Sequence, residues 1–127
     1  MVALSPTTTV LLVEDQEALR VLARRILERH GFHVLTVAGG EDALTTLEQH
    51  DEEVNILLSD VVMPNFDGIK LAQEVRSRFP KVKIILMSGL GPEGFTGPGR
   101  DQLMDELLLK PFTSESLVAA IRNVASP

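Results

Sequence analysis

Residues 56–64 of this chain read Ile56-Leu57-Leu58-Ser59-Asp60-Val61-Val62-Met63-Pro64. The apolar residues at the start of this stretch are typical of a strand buried on both faces. The strand delivers one carboxylate, Asp60, to a loop that contains Pro64. Burying a carboxylate is unfavourable unless a cation or a hydrogen-bond donor accompanies it. The rest of the sequence must therefore supply a partner for Asp60.

Apolar runs and amphipathic segments alternate along the whole chain. Strands are predicted at 10–13, 34–37, 54–59, 82–87 and 107–109. Apolar residues at helical spacing predict helices over 16–30, after the Gly39-Gly40 turn, over 69–79, and from Thr113 or Ser114 to the chain end. Such alternation predicts parallel strands joined by right-handed helical crossovers. The expected fold is α/β, a single doubly wound five-stranded parallel sheet with helices on both faces.

Length, charge and composition indicate a single domain and exclude several functions and kinds of site. The 127 residues suit one domain, with residues 1–8 as a flexible tail and 9–126 as the folded part. A net charge of −6 disfavours direct binding to nucleic acid, which needs clustered Lys and Arg. The absence of Cys excludes disulfides and thiolate metal sites. No apolar run approaches the ~18 residues of a membrane span, so we expect a cytoplasmic protein.

The segment 89–99 departs from the regular pattern, because it holds five glycines and two prolines. An interior glycine destabilises a helix by about 1 kcal/mol and an interior proline by about 3 kcal/mol. We therefore expect a mobile loop there, followed by a short helix within 100–106.

Polar residues follow four of the five predicted strands. Because the C-terminal ends of parallel strands share one edge of the sheet, where ligands bind in open α/β folds, these residues should converge on one pocket. They are Glu14 and Asp15 after the first strand, Asp60 after the third, Ser88 after the fourth and Lys110 after the fifth.

The predicted pocket suits phosphoryl chemistry. Three crowded carboxylates repel one another unless a divalent cation joins them, and oxygen ligands without His or Cys favour Mg²⁺ or Mn²⁺. Lys110 offers a positive charge to a phosphoryl group, and Ser88 offers a hydrogen bond. A carboxylate can itself be the nucleophile, and Asp60 is the central candidate.

The sequence resembles the receiver domains of two-component response regulators from about residue 9 to 125. The resemblance rests on four motifs in order: Val13-Glu14-Asp15, Ser59-Asp60 with Met63-Pro64 and Asp67-Gly68, Met87-Ser88-Gly89, and Lys110-Pro111-Phe112. It implies the flavodoxin-like strand order 2-1-3-4-5. The last two motifs also resemble receivers fused to the C-terminus of hybrid sensor histidine kinases.

The resemblance also implies roles for residues. Asp60 would be the phosphoacceptor, and Lys110 would pair with it or with its phosphate. Mg²⁺ would be held by Asp15, by Asp60, by the backbone carbonyl of Val62 and, mostly through water, by Glu14. Ser88 would contact the phosphoryl oxygen and switch the 89–110 surface, and a cis peptide bond would precede Pro111.

The same resemblance implies partners. The phosphoryl donor would be a histidine kinase or a histidine phosphotransfer protein. The sequence leaves open a monomer or a weak dimer, and a stand-alone receiver, a phosphorelay shuttle or a piece of a larger protein. One departure is Leu107, which stands where the family often has Tyr or Phe. The usual aromatic switch is therefore in doubt, and phosphorylation is expected to order the 89–105 segment.

Simpler interpretations and other functions stay open at this point. Asp67, before Gly68, is expected to cap a helix and not to bind metal, and the three His are expected to be surface residues. An aspartyl phosphatase generally has a second acid two residues after the nucleophile, where this chain has Val62. A degenerate receiver that only binds protein is the other alternative. We expect no ordinary turnover enzyme.

Overall fold

The computed structural model describes residues 8–50, 52–63, 66–89 and 103–125. The strands are β1 (Thr9–Val13), β2 (His33–Val37), β3 (Ile56–Asp60), β4 (Val62–Met63), β5 (Phe66–Asp67), β6 (Lys83–Ser88) and β7 (Glu106–Leu109). The helices are α1 (Glu17–Arg29), α2 (Gly40–His50), α3 (Gly68–Arg78) and α4 (Ser114–Ala125).

Five strands form one parallel sheet in the order β2-β1-β3-β6-β7. Counted within this sheet alone, that is the order 2-1-3-4-5, which confirms the predicted fold. Strand β3 lies at the centre, and all five of its residues are buried. The remaining two strands, β4 and β5, pair antiparallel as a short ribbon next to the C-terminal end of β3.

Helices cover both faces of the sheet. Alternate residues of β1 belong to different cores, because successive side chains of a strand point to opposite faces. Leu11 and Val13 lie in the core that contains buried residues of α2 and α3. Val10 and Leu12 lie in the core that contains buried residues of α1 and α4. The central strands are therefore apolar on both sides, which is why they read as continuous apolar runs.

Local signals fix the helix ends as predicted. Gly31 follows α1 with φ +90°, a conformation that glycine adopts without strain. The Asp67 carboxylate accepts hydrogen bonds from the backbone N–H groups of Ile69 (2.8 Å) and Lys70 (3.4 Å), so Asp67 caps α3. The Thr113 hydroxyl accepts from the Ser116 N–H at 3.0 Å, which makes Thr113 the cap of α4.

Several predicted strand and helix ends differ from the observed ends by one residue, and the predicted start of the third strand was wrong by two. The third strand begins at Ile56 and not at 54, because the Val54 N–H still bonds the His50 carbonyl at the end of α2. The short helix expected to reach Glu106 at most ends before that limit, since Glu106 opens β7. Asp105 explains this: its N–H donates to the Ile84 carbonyl at 2.7 Å, and its carboxylate accepts from the Ile84 N–H at 2.8 Å.

Several expectations lie outside the described residues. These are the loop predicted at 89–99 apart from Gly89, the start of the short helix at 100–102, and the tail predicted at 1–8 apart from Thr8.

Gly68 marks a close approach between α3 and the end of β3. Its N–H donates to the Val61 carbonyl at 3.0 Å. A Cβ at this position would meet the backbone carbonyl of Asp60 and the Cα of Val61. Because Gly68 has no side chain, α3 can begin in direct contact with the backbone of Asp60 and Val61.

We expect Gly68→Ala to lower the free energy of unfolding by about 1–3 kcal/mol, because the backbone must move to admit the methyl group. At an ordinary interior helix position, the same change stabilises by about 1 kcal/mol. Urea denaturation measures the difference. Gly39→Ala is the control, because an added Cβ there meets no heavy atom within 4 Å. If Gly68→Ala were as stable as wild type, the close approach would be unimportant.

Candidate functional site

Four strand ends bring the predicted polar residues to one edge of the sheet. Parallel pairing keeps these ends level, as in the register of Val13 with Ser59 and of Ser88 with Leu109. Glu14 and Asp15 follow β1, Asp60 closes β3, Ser88 closes β6, and Lys110 follows β7.

Three of these residues form a carboxylate cluster. One oxygen from each of Glu14, Asp15 and Asp60 lies within 4.8 Å of the others. Glu14 and Asp60 are buried, whereas Asp15 is more exposed. In the part of the chain that the structure describes, this is the one group of three or more acidic, His or Cys side chains close enough to share a metal ion.

Lys110 joins the two buried carboxylates. Its Nζ donates to the Asp60 carboxylate at 2.7 Å and to Glu14 Oε1 at 3.1 Å. Its backbone N–H donates to the Ser88 carbonyl at 2.9 Å, which ties the end of β7 to the end of β6. The Lys110–Pro111 peptide bond is cis. The strand ends thus place the ammonium group directly above the acids.

Burial and neighbouring charges shift two pKa values in this cluster. Burial raises the pKa of Glu14, the adjacent Asp60 raises it further, and the hydrogen bonds from Gln16 N–H and Lys110 offset only part of this. Burial by itself would lower the pKa of Lys110, but its hydrogen bonds to Asp60 and Glu14 outweigh burial and raise it. Lys110 is therefore held in its charged form, and it is hydrogen-bonded to both buried acids.

The donor set fits a hard divalent cation. Three carboxylates face a single ammonium group, so the cluster keeps net negative charge when the acids are ionised. Clustered carboxylate oxygens, with no His or Cys among them, match the ligand preference of Mg²⁺.

The remaining residues that the sequence analysis singled out lie on three strands and at the start of one helix. Ser88 is buried at the end of β6, and Val62 lies in β4, two residues after Asp60. Leu107 lies on β7, half-buried against the core under α2 and α3. Asp67 caps α3 and does not belong to the cluster, as predicted.

Sequence reasoning missed Arg20. Its guanidinium Nη1 donates to the backbone carbonyl of Glu14 at 2.8 Å. The signal was present, because a cation one turn inside a helix can reach back to the loop that precedes it. It was overlooked because an arginine on an amphipathic helix resembles an ordinary solvated residue.

No helix in the described ranges has the length and apolar character needed to cross a membrane.

Comparison with known proteins gives consistent results. The response regulator receiver domain family matches residues 10–122. Sensor kinase CckA of Brucella abortus (strain 2308) is 37% identical over 121 residues, which are 95% of this chain and 13% of that protein. Transcriptional regulatory protein CpxR of Klebsiella pneumoniae subsp. pneumoniae (strain HS11286) is 36% identical over 115 residues, which are 91% of this chain and 48% of that protein.

Solved structures agree. The receiver domain from the hybrid histidine kinase CckA has a TM-score of 0.76 at 29% identity, over 91% of this chain and 97% of that one. This chain spans less than half the length of either relative named above. Receiver domains are signalling modules that interact with histidine kinases or phosphotransfer proteins, and they generally bind Mg²⁺ at an acidic pocket of this kind. From its fold, its carboxylate cluster and these matches, the chain belongs to the response regulator receiver domains of two-component signalling.

Proposed function

We propose that Asp60 accepts a phosphoryl group from the phosphohistidine of a histidine kinase or a histidine phosphotransfer protein. The single observation that carries this proposal is the position of Lys110, whose ammonium group lies 2.7 Å from the Asp60 carboxylate. A cation bound to a carboxylate at the C-terminal edge of the sheet can bind the oxygens of an incoming phosphoryl group.

The chain's own groups account for the transfer. A carboxylate oxygen of Asp60 forms the new bond to phosphorus, and the bond from phosphorus to the donor nitrogen breaks. The electron pair of the broken bond stays on the donor imidazole. Lys110 neutralises charge on the phosphoryl oxygens, and Ser88 offers a hydroxyl group at the same edge of the sheet.

We further propose that Glu14, Asp15, Asp60 and the backbone carbonyl of Val62 hold Mg²⁺, or Mn²⁺ in its place. When bound, this ion neutralises charge on the phosphoryl oxygens. The support is the cluster of carboxylate oxygens within 4.8 Å of one another.

The readout is proposed to run through the 89–110 surface. The backbone bond from the Lys110 N–H to the Ser88 carbonyl joins two residues that would contact the phosphoryl group. A displacement of Ser88 would therefore displace Lys110, and the reverse also holds. Because Leu107 offers no aromatic ring, we propose that phosphorylation acts on the segment between these two residues and not through a ring rotation.

The chain is proposed to act as a signalling module without ordinary turnover. Val62 supports this, because an apolar residue two positions after Asp60 cannot serve as the general acid of a phosphatase. Residues 9–126 are proposed as the whole domain, working in the cytoplasm where its donors carry phosphohistidine. The relatives leave both a stand-alone regulator and a piece of a hybrid kinase as settings for it.

We expect Asp60→Asn to abolish phosphorylation by acetyl phosphate in the presence of Mg²⁺, because an amide does not form a stable acyl phosphate. Intact-protein mass spectrometry measures the phosphoryl adduct. Asp67→Asn is the matched control, since Asn also caps helices and Asp67 lies outside the cluster. It should be labelled like wild type. Normal labelling of Asp60→Asn would show that the nucleophile is another residue.

Asp15→Asn should weaken Mg²⁺ binding by about ten-fold or more, since the loss of a direct ligand should cost at least as much as the loss of an outer-shell partner. Isothermal calorimetry on the unphosphorylated protein gives the dissociation constant. The exposed Glu17→Gln, just beyond the loop, is the control. Equal affinity in wild type and Asp15→Asn would place the ion elsewhere.

The raised pKa of Glu14 predicts how stability changes with pH when no divalent cation is added. Above the ordinary value of 4.5, the unfolded chain has released a proton that folded Glu14 still holds. The contribution of Glu14 to the free energy of unfolding therefore falls as the pH rises, until the raised pKa is passed.

Glu14→Gln lacks this titration. Urea denaturation at several pH values should show that its stability relative to wild type increases as the pH rises above 4.5 and then levels off. Glu17→Gln, which removes an exposed glutamate nearby, should show no such trend. A constant difference between Glu14→Gln and wild type over the whole range would contradict the raised pKa.

A further inference from the structure

We propose that Arg20 is a positioning residue for the acidic site: by binding the Glu14 carbonyl, it holds the loop that aims Glu14 and Asp15 at Asp60. This inference rests on the proposed function of the cluster. It concerns a residue that contacts neither the phosphoryl group nor the ion, and that acts through the loop backbone.

The loop between β1 and α1 has few anchors of its own. It comprises residues 14–16, and its last bond to the sheet is from the Glu14 N–H to the Val37 carbonyl at 3.1 Å. Beyond that point, the Gln16 N–H donates to Glu14 Oε2 at 3.1 Å. The Arg20 guanidinium donates to the Glu14 carbonyl at 2.8 Å. Arg20 thus clamps the loop to the helix at the residue where the sheet releases it.

The position of Arg20 on its helix calls for such a role. Arg20, Ala23 and Leu27 are spaced i, i+3 and i+7, so they share one face of α1. Ala23 and Leu27 are buried in the core, and Arg20 is half-buried at the end of that face nearest the acids. A charged residue on a core-facing stripe is unfavourable without a partner. The Glu14 carbonyl is that partner, and a hydrogen bond from a charged donor is stronger than one from a neutral donor.

Two effects of Arg20 on cation binding have opposite signs. As a nearby positive charge, it opposes a cation, so its removal would tighten binding. As a clamp on the loop, it keeps two ligands in place, so its removal would weaken binding. The direction of the change therefore distinguishes a positioning residue from a charge that merely lies close by.

The experiment compares Arg20→Gln, Arg20→Lys and wild type by Mg²⁺ calorimetry on the unphosphorylated full chain. Loss of an outer-shell partner typically weakens metal binding by about 10–100-fold. The Mg²⁺ dissociation constant of Arg20→Gln should therefore be at least about ten-fold higher than that of wild type. Arg20→Lys keeps a charged donor without the planar fork, so it should fall between the two.

Arg24→Gln is the matched control. Arg24 lies on the same helix, and its partner is Glu28, 3.4 Å away on the exposed surface. Its removal takes away the same charge without touching the loop, so Mg²⁺ affinity should equal that of wild type within about two-fold.

Two further readouts separate positioning from general damage. With Mg²⁺ raised to saturation, Arg20→Gln should be phosphorylated by acetyl phosphate at nearly the wild-type rate, because the ligands themselves are intact. Without any Mg²⁺, hydrogen exchange at the Gln16 amide should be faster in Arg20→Gln than in wild type, since the loop has lost its clamp.

Unchanged or tighter Mg²⁺ binding by Arg20→Gln, beside normal binding by wild type, would overturn this inference and leave the proposed function intact. Absence of Mg²⁺ binding by wild type would overturn both. Should Arg20→Gln fail to fold, Arg20→Lys decides: affinity equal to wild type would mean that any cation suffices and that the clamp geometry is unimportant.

Discussion

The hydrogen-bonded ion pair between Lys110 and the buried acids is the interaction on which the rest of the site depends. Asp60 lies at the C-terminal end of β3, whose residues are all buried, and Glu14 is 1% exposed. Burial and the neighbouring Asp60 raise the pKa of Glu14. The Lys110 ammonium group, bonded to both, makes their charge tolerable. Because it offsets only part of the negative charge, the cluster stays receptive to a second cation.

That interaction requires the doubly wound topology. Lys110 is separated from Asp60 by 50 residues and from Glu14 by 96. They meet because parallel strands end at one edge, and because β3 lies between β1 and β6. The crossover helices carry the supporting contacts: Gly68 lets α3 begin against the Asp60 backbone, and Arg20 holds the loop after β1. The site is therefore built from contacts that are distant in sequence and fixed by the fold.

The same distinction explains what could be predicted from the sequence. The five strands and the convergence of Glu14, Asp60 and Lys110 followed from apolar runs, because burial on both faces leaves a strong pattern. The strand order came from the family resemblance. Where the short helix within 100–106 ends could not be predicted, because one side chain, Asp105, completes hydrogen bonds with β6 that local propensity does not encode. Arg20 was missed for a related reason: an arginine in the first turn of a helix can reach back to the preceding loop, but the sequence does not show that it binds the Glu14 carbonyl. Buried apolar segments can be predicted from the sequence. Hydrogen bonds between side chains and the backbone cannot, because they depend on the folded geometry.

Strand β7 is where these constraints meet. Within the described part of the chain it is an edge strand that pairs with β6 alone, and its residues are less buried than those of β3. At its start, Asp105 bonds both β6 and Arg76 of α3, the latter at 3.1 Å. At its end, Lys110 bonds the acids of β1 and β3. A strand with one neighbour can shift at less cost than a central strand, which must break hydrogen bonds on both sides. With its start tied to α3 by Asp105 and its end tied to Asp60 by Lys110, this strand is held by side-chain bonds at both ends.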